Sequence, residues 1–474
     1  MIMPTIMKFG GTSVADAQAF EKVARIVRER IKQVPVVVVS AMSRVTDALL
    51  ASTHIANEGR ADEAITSLES TFLRHKETAK ELLSDEATRE FAKVVDQAQR
   101  TVAQQLLVIA HQSTQFRALQ DSALAFGEGL SSLLLAHVLT ERGVTAMHID
   151  ARECVITDDE YGCAAPLFEQ TFSATQSTLL PFLAAESVPV LGGFIGSNRK
   201  GLTTTLGRGG SDYTAAIIGA ALSAREIQIW TDVSGVLTAD PRVVPGAQTI
   251  ERLSYGEAAE LAYFGAKVLH PKTIQPAIED CIPVRICNSR TPDDVGTLVC
   301  AQTETTPRTV KAIAHKTGVT TVQISSARML GAYGFLRALF EVFEKHRTVV
   351  DVVTTSEVSV SLSLDDATSL PAIVEELNNL GTVRVEKGRA IICVVGEGLR
   401  GTPGIAARVF STISDINVTL ISQGASSINF TFAIEEERVN EAVRRLHEAF
   451  FEAETSDKLK FVATQMSVEM SDEL

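Results

Sequence analysis

Cysteine is scarce and unpatterned in this chain. Six occur in 474 residues, Cys154, Cys163, Cys281, Cys287, Cys300 and Cys393, and no two form a C-x-x-C pair. That excludes a disulfide-built scaffold, argues against structural zinc, and suits a reducing compartment in which these side chains are buried thiols. Positive charge is also in short supply. Lys and Arg total 44 against 58 Asp and Glu, a formal net charge of −14, so the chain has no general electrostatic footprint for nucleic acid or an anionic membrane. Any anion must be taken by a local pocket. No uninterrupted run of about 18 apolar residues occurs and the first residues lack the apolar core of a secretion signal, so the expectation is a cytoplasmic protein. The closing Ser471-Asp472-Glu473-Leu474 has only a chance likeness to an ER-retrieval tail.

Apolar material is ample: 45% of residues are hydrophobic, and the length corresponds to about three domains. Over the first 300 residues strand and helix signals alternate, with a first strand running into Lys8 and buried strands expected at 35–40, 145–150, 188–194, 226–233 and 283–288. Such alternation predicts an α/β sandwich. Residues 56–142 break the pattern with a long Ala-, Glu-, Leu- and Gln-rich stretch, expected to form a helical cap beside the sheet. The polar segment Gln302-Thr303-Glu304-Thr305-Thr306-Pro307-Arg308 has no apolar periodicity and marks a domain boundary.

Beyond it lies an internal repeat. Residues 350–364 (VDVVTTSEVSVSLSL) align without a gap with 418–432 (VTLISQGASSINFTF), each a strand, a polar break and an alternating strand. Each copy follows a glycine and an amphipathic helix, at Gly334 and Gly404, and is followed by a second helix, at 369–380 and 438–451. The unit is β-α-β-β, of the kind that pairs side by side in small ferredoxin-like sheets. The repeat disposes of a decoy: Gly396-Glu397-Gly398-Leu399-Arg400-Gly401 satisfies G-x-G-x-x-G, but the first copy makes the same step without glycines and too little chain follows for a dinucleotide-binding domain. Gly196 and Gly201 have P-loop spacing, but Leu202 stands at the lysine position.

Two glycine loops carry the chemistry. In Lys8-Phe9-Gly10-Gly11-Thr12-Ser13-Val14 a lysine and paired glycines close a strand and enter a helix, a geometry that lets backbone N–H groups and a cation meet a phosphate. Taken alone, it could equally be a tight turn with a solvated lysine. Thr203-Thr204-Thr205-Leu206-Gly207-Arg208-Gly209-Gly210-Ser211-Asp212-Tyr213 repeats the strand-to-helix step and adds a planar cation suited to bidentate capture of a carboxylate. Ser211 and Asp212 could instead cap the helix, and Arg208 could form a surface ion pair. Trp230-Thr231-Asp232 ends a buried strand, where open α/β sheets bind ligands. Asp240-Pro241-Arg242 follows in a turn, and Phe264-Gly265-Ala266-Lys267-Val268-Leu269-His270 sets a lysine just after a glycine. Singly, Arg242, Lys267 and His270 are residues more often found as solvated surface or capping groups. Glu128, between Gly127 and Gly129, is expected at the head of an apolar helix, where it would favour the dipole.

Together, KFGGTSV, TTTLGRGGSDYTAA, WTDV with TADPR, and FGAKVLHP resemble the aspartokinases of the amino-acid-kinase superfamily, and the C-terminal repeat resembles their tandem ACT regulatory domains. The resemblance runs from Lys8 to about residue 465. It implies a three-layer α/β/α kinase domain with a helical cap at 1–302, a linker and shared first strand at 303–318, two ferredoxin-like α+β modules at 319–390 and 391–465, and a tail at 466–474. It implies ATP-dependent phosphorylation of the L-aspartate β-carboxylate, the entry step to lysine, threonine and methionine synthesis, with Mg²⁺ accompanying ATP. By the same resemblance Lys8, Asp212 and Lys267 are catalytic. Lys8, Phe9, Gly10, Gly11, Thr231, Asp232, Leu237, Arg242 and Lys267 hold ATP, and Thr46, Glu128, Arg208, Gly209, Gly210 and Ser211 hold aspartate. Many relatives carry tyrosine where this chain has Leu237, which leaves apolar packing on adenine rather than ring stacking. Met329, Gly334, Phe335, Leu336, Asp351, Ser356 and Glu357 would form an effector site for lysine or threonine, and the ACT modules would join copies of the chain into a homodimer or larger oligomer. No metal-ligating side chains are implied. A kinase for another amino-acid carboxylate, such as glutamate, and a catalytically dead amino-acid sensor remain the competing readings.

Overall fold

Strands buried on both faces must be apolar throughout, and the first two have almost no polar side chains: β1 (Thr5–Phe9, TIMKF) and β2 (Pro35–Val39, PVVVV) are buried along their whole length. In this computed structural model, which describes residues 3–111, 114–265, 269, 271–301, 309–331, 333–424 and 426–452, they lie near the centre of an eight-stranded sheet. Its other strands are β3 (Ala146–Ile149), β5 (Val188–Gly192), β8 (Glu226–Thr231), β9 (Arg252–Ser254), β10 (Val284–Asn288) and β11 (Thr297–Cys300), with β4 (Ile156–Thr157), β6 (Ile195–Asn198) and β7 (Thr203–Thr205) in a small separate sheet. The order is β3-β5-β2-β1-β8-β10-β11-β9, parallel from β3 to β10. Lys8 pairs with Val38 on one side and Ile229 on the other, so β1, β2 and β8 end together at one edge. The chain leaves β1 for β2 on one side and reaches β8 on the other, the switch in strand order beside which such sheets hold ligands.

The helical stretch expected at 56–142 is present. It comprises the end of α2 (Val45–Asn57), then α3 (Ala61–Ser67), α4 (Glu69–Leu82), α5 (Asp85–Ala110) and α6 (Phe116–Glu141), which share a core with α1 (Ala17–Glu29). Helix α6 is long and apolar enough to cross a membrane by length and composition, but Leu124, Leu130, Leu134, Leu135, Val138 and Leu139 are buried in this core. Helix α8 (Gly210–Ala221), flanked by α7 (Phe168–Ala184) and α10 (Gln275–Glu279), buries ten of its residues.

The chain forms two compact units. One comprises Met1–Val236, Glu251–Tyr255 and Val268–Thr303; the other comprises Leu237–Ile250, Gly256–Lys267 and Glu304–Leu474, so two stretches before residue 302 pack with the C-terminal repeat. The second unit therefore holds all but the first residue of α9 (Tyr255–Tyr263). Its six-stranded antiparallel sheet runs β13-β14-β12-β15-β17-β16, with β12 (Ala312–Ser325), β13 (Val353–Thr355), β14 (Ser359–Leu364), β15 (Thr382–Val395), β16 (Val418–Gln423) and β17 (Asn429–Glu435). Helices α11 (Phe335–Lys345) and α12 (Leu370–Leu377) cover one repeat; α13 (Ile405–Thr412) and α14 (Val439–His447) cover the other. The repeats share their long strands: Ala312 to Lys316 of β12 pair with Ile391 to Val395, and Val319 to Ser325 pair with Thr382 to Arg389.

Two expectations need correction or a reason. Cys154, Cys287 and Cys393 are buried, but Cys163 and Cys281 are exposed and Cys300 is half-buried, so the thiols are not uniformly core residues. At the decoy motif, a Cβ on Gly396 would stand 1.9 Å from the Thr309 carbonyl oxygen, so that glycine answers to close packing of backbones. Within the second unit, Lys311 Nζ lies 2.9 Å from Glu257 Oε2, with side chains 5% and 0% exposed. Breaking such a pair from one side costs about 3–5 kcal/mol, because the remaining charge stays in a water-poor site. Lys311→Met should therefore lower the melting temperature by several degrees, and adding Glu257→Leu should recover part of the loss. A single mutant melting like the wild type would contradict this.

Candidate functional site

Lys8 is the one charged residue of β1, and its place at the common edge of β1, β2 and β8 decides what it can reach. Its side chain is 11% exposed, and Nζ lies 2.5 Å from Asp212 Oδ1 in the first turn of α8. The two glycine loops thus meet at one ion pair. Phe9 is turned into the core, stacked on Trp230 with ring centroids 5.7 Å apart, and the Gly10 N–H donates to the Trp230 carbonyl at 3.1 Å. Neither lines the cavity, whereas Gly11 and Thr12, opening a 3-10 turn, do.

The second loop is anchored by a residue the sequence reading passed over. Asp121 of α6 is fully buried and accepts from the Gly162 N–H at 2.9 Å, the Thr205 N–H at 2.8 Å and the Thr205 hydroxyl at 3.0 Å, fixing the end of β7. Burial raises its pKa above the usual carboxylate range, and these three donors oppose the shift. An acid set among apolar helix residues was the available signal. Helix α8 is capped by Gly209 in the left-handed region (φ 75°) without a side-chain cap. Ser211 and Asp212 sit inside its first turn, so the capping reading fails, and their N–H groups belong to the set that a helix start leaves without intrahelical partners. Gly193, just after β5, admits this turn closely: a Cβ there would lie 2.6 Å from Ser211 Cβ. Arg208 is exposed and forms no ion pair among the described residues.

Glu128 is not at the head of a helix. It is the thirteenth residue of α6, 3% exposed, so the dipole reading does not hold. Burial pushes its pKa up to about 7, against opposing hydrogen bonds from the Ala41 backbone and Thr46 hydroxyl and a weaker attraction to Lys8. Its Oε2 is sealed from solvent and has no hydrogen-bond partner among the described residues. A buried orphan oxygen is costly unless a ligand donates to it.

These side chains line one cavity of about 710 Å³ within the first unit. It brings together Lys8, Gly11, Thr46, Glu128, Arg208, Gly209, Gly210, Ser211, Asp212, Thr231 and Asp232 of the expected set. Lysine, arginine and free helix N–H groups offer anion contacts, while Glu128 offers an ammonium contact, so the cavity can hold a zwitterion beside a polyanion. Leu237 and Arg242 belong to the second unit, where Arg242 is exposed and its Nη2 lies 2.6 Å from Asp240 Oδ2. Lys267 and His270 lie outside the described residues.

The expected effector residues all fall in the first repeat of the second unit. Gly334 caps α11 in the left-handed region (φ 83°), with Phe335 and Leu336 opening that helix, and Met329 packs on the repeat's core. Asp351 accepts from the Tyr263 hydroxyl; burial and the neighbouring Asp365 push its pKa up to about 7. Ser356 Oγ lies 2.8 Å from Ser359 Oγ and accepts from the Ser359 N–H at 3.1 Å in the β13–β14 turn, and Glu357 is exposed beside it.

The model of the amino acid kinase family matches residues 3–288, and that of the ACT domain matches 392–450. The chain is 39% identical to Aspartokinase 2, chloroplastic, of Arabidopsis thaliana over 95% of its own length and 84% of that protein. It is 37% identical to Lysine-sensitive aspartokinase 3 of Escherichia coli over 94% and 99% respectively. Among solved structures, E. coli aspartokinase III in complex with aspartate and ADP superposes with a TM-score of 0.78 at 37% identity, covering 94% of this chain and 100% of that one. The same enzyme in complex with lysine and aspartate gives 0.80, covering 94% and 99%.

The buried carboxyl group makes stability depend on pH. Because the folded pKa of Glu128 is raised to about 7 from 4.5, the folded protein keeps a proton that the unfolded chain has released, and stability falls as pH rises through that window. The loss between pH 5 and pH 7.5 should be about 2 kcal/mol in ligand-free protein, at 1.36 kcal/mol per pKa unit. Urea melts at pH 5 and 7.5 should show this loss in the wild type, and Glu128→Gln should remove it. Equal pH dependence in both proteins would contradict the assignment.

Proposed function

The chain belongs to the amino acid kinase family and, within it, to the aspartokinases, and we propose that it transfers the γ-phosphoryl group of ATP to the β-carboxylate of L-aspartate in the cavity around Lys8. The observation that carries the reading is the pairing of an orphan buried oxygen on Glu128 with a free guanidinium on Arg208, in the cavity that also holds the Lys8–Asp212 ion pair. In this reading Glu128, helped by Thr46, takes the ammonium of aspartate, and Arg208 with the Gly209-Gly210-Ser211 turn takes its α-carboxylate. The β-carboxylate is left pointing to Lys8.

The chemistry then needs no general base. A carboxylate with an ordinary pKa of about 3.9 is ionised at neutral pH, so its oxygen attacks the γ-phosphorus directly while the bond to the β,γ-bridging oxygen breaks and ADP leaves. The obstacle is repulsion between anions. Lys8, positioned by Asp212, and the first N–H groups of α8 would offset charge on the transferring group, with Lys267 assigned the same task by resemblance. ATP enters as its Mg²⁺ complex. Among the described residues no group of three His, Cys, Asp or Glu side chains is placed to hold a metal ion. Gly11, Thr231 and Asp232, which line the same cavity, complete the proposed nucleotide set, while Phe9 and Gly10 hold the loop from the core side.

We assign residues 1–302 to catalysis and the modules at 319–390 and 391–465 to regulation and to pairing of copies of the chain. The E. coli relative's lysine-bound structure supports an amino-acid effector; by resemblance that effector, lysine or threonine, is assigned to Met329, Gly334, Phe335, Leu336, Asp351, Ser356 and Glu357. Acyl-phosphate formation, trapped as hydroxamate from a panel including aspartate and glutamate, tests the substrate; turnover with glutamate but not aspartate would overturn the reading.

Two variants test the machinery. Lys8→Ala should fold and lower kcat by at least about a hundredfold, since it removes charge stabilisation specific to the transition state; near-normal kcat in a folded variant would sink the mechanism. Lysine should inhibit the wild type with a Hill coefficient above one. Glu357→Lys, at an exposed position, should relieve that inhibition with kcat little changed, and unaltered inhibition would reject the effector placement.

A further inference from the structure

Helix α6 has two working faces. Asp121, Leu124 and Glu128 line the cavity around Lys8, whereas Phe126, Gly129 and Leu133 line a second cavity of about 440 Å³, closed by α5, β3 and the end of β5. That volume is within the range of sites for small organic ligands, about 300–1,000 Å³. Its walls are mostly apolar, with Val94 and Ala98 on one side and Ile149 and Ile195 on the other. The cations near it make a poor anion site: the Arg152 Nε lies 2.9 Å from both oxygens of Asp150, and Lys93 is exposed to water.

One polar group in the wall is distinctive. The Ser132 hydroxyl donates to the Gly129 carbonyl at 3.0 Å, and its oxygen lies 3.1 Å from His148 Nε2. With the hydroxyl hydrogen assigned to the Gly129 carbonyl, Nε2 carries the ring hydrogen and donates to Ser132, which leaves Nδ1 as a lone-pair acceptor. Nδ1 has no hydrogen-bond partner among the described residues and is not sealed from solvent. Burial holds the imidazole below its ordinary pKa, so it is neutral at pH 7 and keeps that acceptor.

We propose that this cavity is a second small-molecule site, for a compact, uncharged, mostly apolar ring molecule bearing one N–H or O–H donor for His148 Nδ1, and that its occupancy is felt at Glu128. The link is Gly192, which lines the cavity and meets Glu128 so closely that a Cβ there would lie 2.9 Å from Glu128 Cβ. A ligand pressing on α6 and Gly192 is one backbone layer from the carboxyl group. The coupling rests on the role proposed above for Glu128; the binding does not.

Indole and 1-methylindole, which lacks the N–H, are suitable probes for calorimetric titration of the full chain. Indole should bind saturably and at least about tenfold more tightly than 1-methylindole, the equivalent of one net hydrogen bond. His148→Leu should erase that preference. Gly129→Leu should abolish binding of both probes, because a Cβ at Gly129 meets nothing within 4 Å and the larger side chain would fill the cavity without moving the backbone; a thermal melt checks that both variants fold. Absence of saturable indole binding to the wild type, unchanged binding to Gly129→Leu, or a preference surviving His148→Leu would overturn the site. Saturating indole should shift the aspartate KM at least about threefold with the ATP KM unmoved, and the shift should vanish in Gly129→Leu. Intact indole binding with an unmoved aspartate KM would overturn the coupling to Glu128 alone.

Discussion

The ion pair between Lys8 and Asp212 is the contact on which the site's geometry turns. It joins the penultimate residue of a central parallel strand to the first turn of α8, at the edge where β1, β2 and β8 end together. A lysine alone at that edge would sample many rotamers and trail into water; held by a carboxylate at 2.5 Å, it is fixed where an incoming anion must pass. The cost is a negative charge near a site meant for anions. That cost is offset locally by the start of α8, which has no side-chain cap and whose Ser211 and Asp212 N–H groups carry the positive end of the helix dipole. A chain with a net charge of −14 can therefore assemble anions in one place, because the field there is set within a few ångströms rather than by the molecule as a whole.

Much of this was legible in the sequence, and the exceptions have physical reasons. The parallel strands declared themselves because burial on both faces demands β-branched runs, as in Val36 to Val39. The repeat was visible because two ferredoxin-like units need the same alternation twice, yet the exchange of partners along β12 and β15 was only partly foreseen, since a fourteen-residue strand serving two modules looks in sequence like two shorter ones. Helix boundaries were harder. Helix α6 starts at Phe116 after Gln115 with no side-chain cap, so nothing marks its beginning, and Gly127 and Gly129 read as an end when they lie in the middle. Gly127 is there because a Cβ would stand 3.0 Å from Ala41 Cβ. Misplacing that boundary turned Glu128 from a buried carboxyl group into a residue favouring a dipole.

Asp121 was missed for the opposite reason: its partners are backbone groups of Gly162 and Thr205, 41 and 84 residues away, which no local pattern announces. Ser211 and Asp212 misled in a different way. Their residue types are those of helix caps, but Gly209 adopts the left-handed conformation and takes the capping position. The effect is that the two polar side chains are carried inside the first turn and freed to face the cavity. Local propensity and function conflict here, and the function is visible in the conflict.

Glu128 joins the chemistry of binding to the energetics of the empty fold. With its pKa raised to about 7 and one oxygen lacking a partner, the ligand-free cavity holds a group that burial leaves partly protonated at neutral pH. An ammonium reaching that oxygen would supply the missing donor and the missing countercharge together, drawing the carboxyl group into its ionised form and releasing its proton. A ligand with a carboxylate but no ammonium would gain nothing from Glu128 and would instead suppress its ionisation. In the proposed role of Glu128, discrimination for an α-amino acid over a simple dicarboxylate would follow from desolvation, with the unsatisfied buried oxygen relieved only by the correct partner. The deep packing of α6 is what such a preference would require: an exposed Glu128 would have its ordinary pKa, and water would satisfy both oxygens.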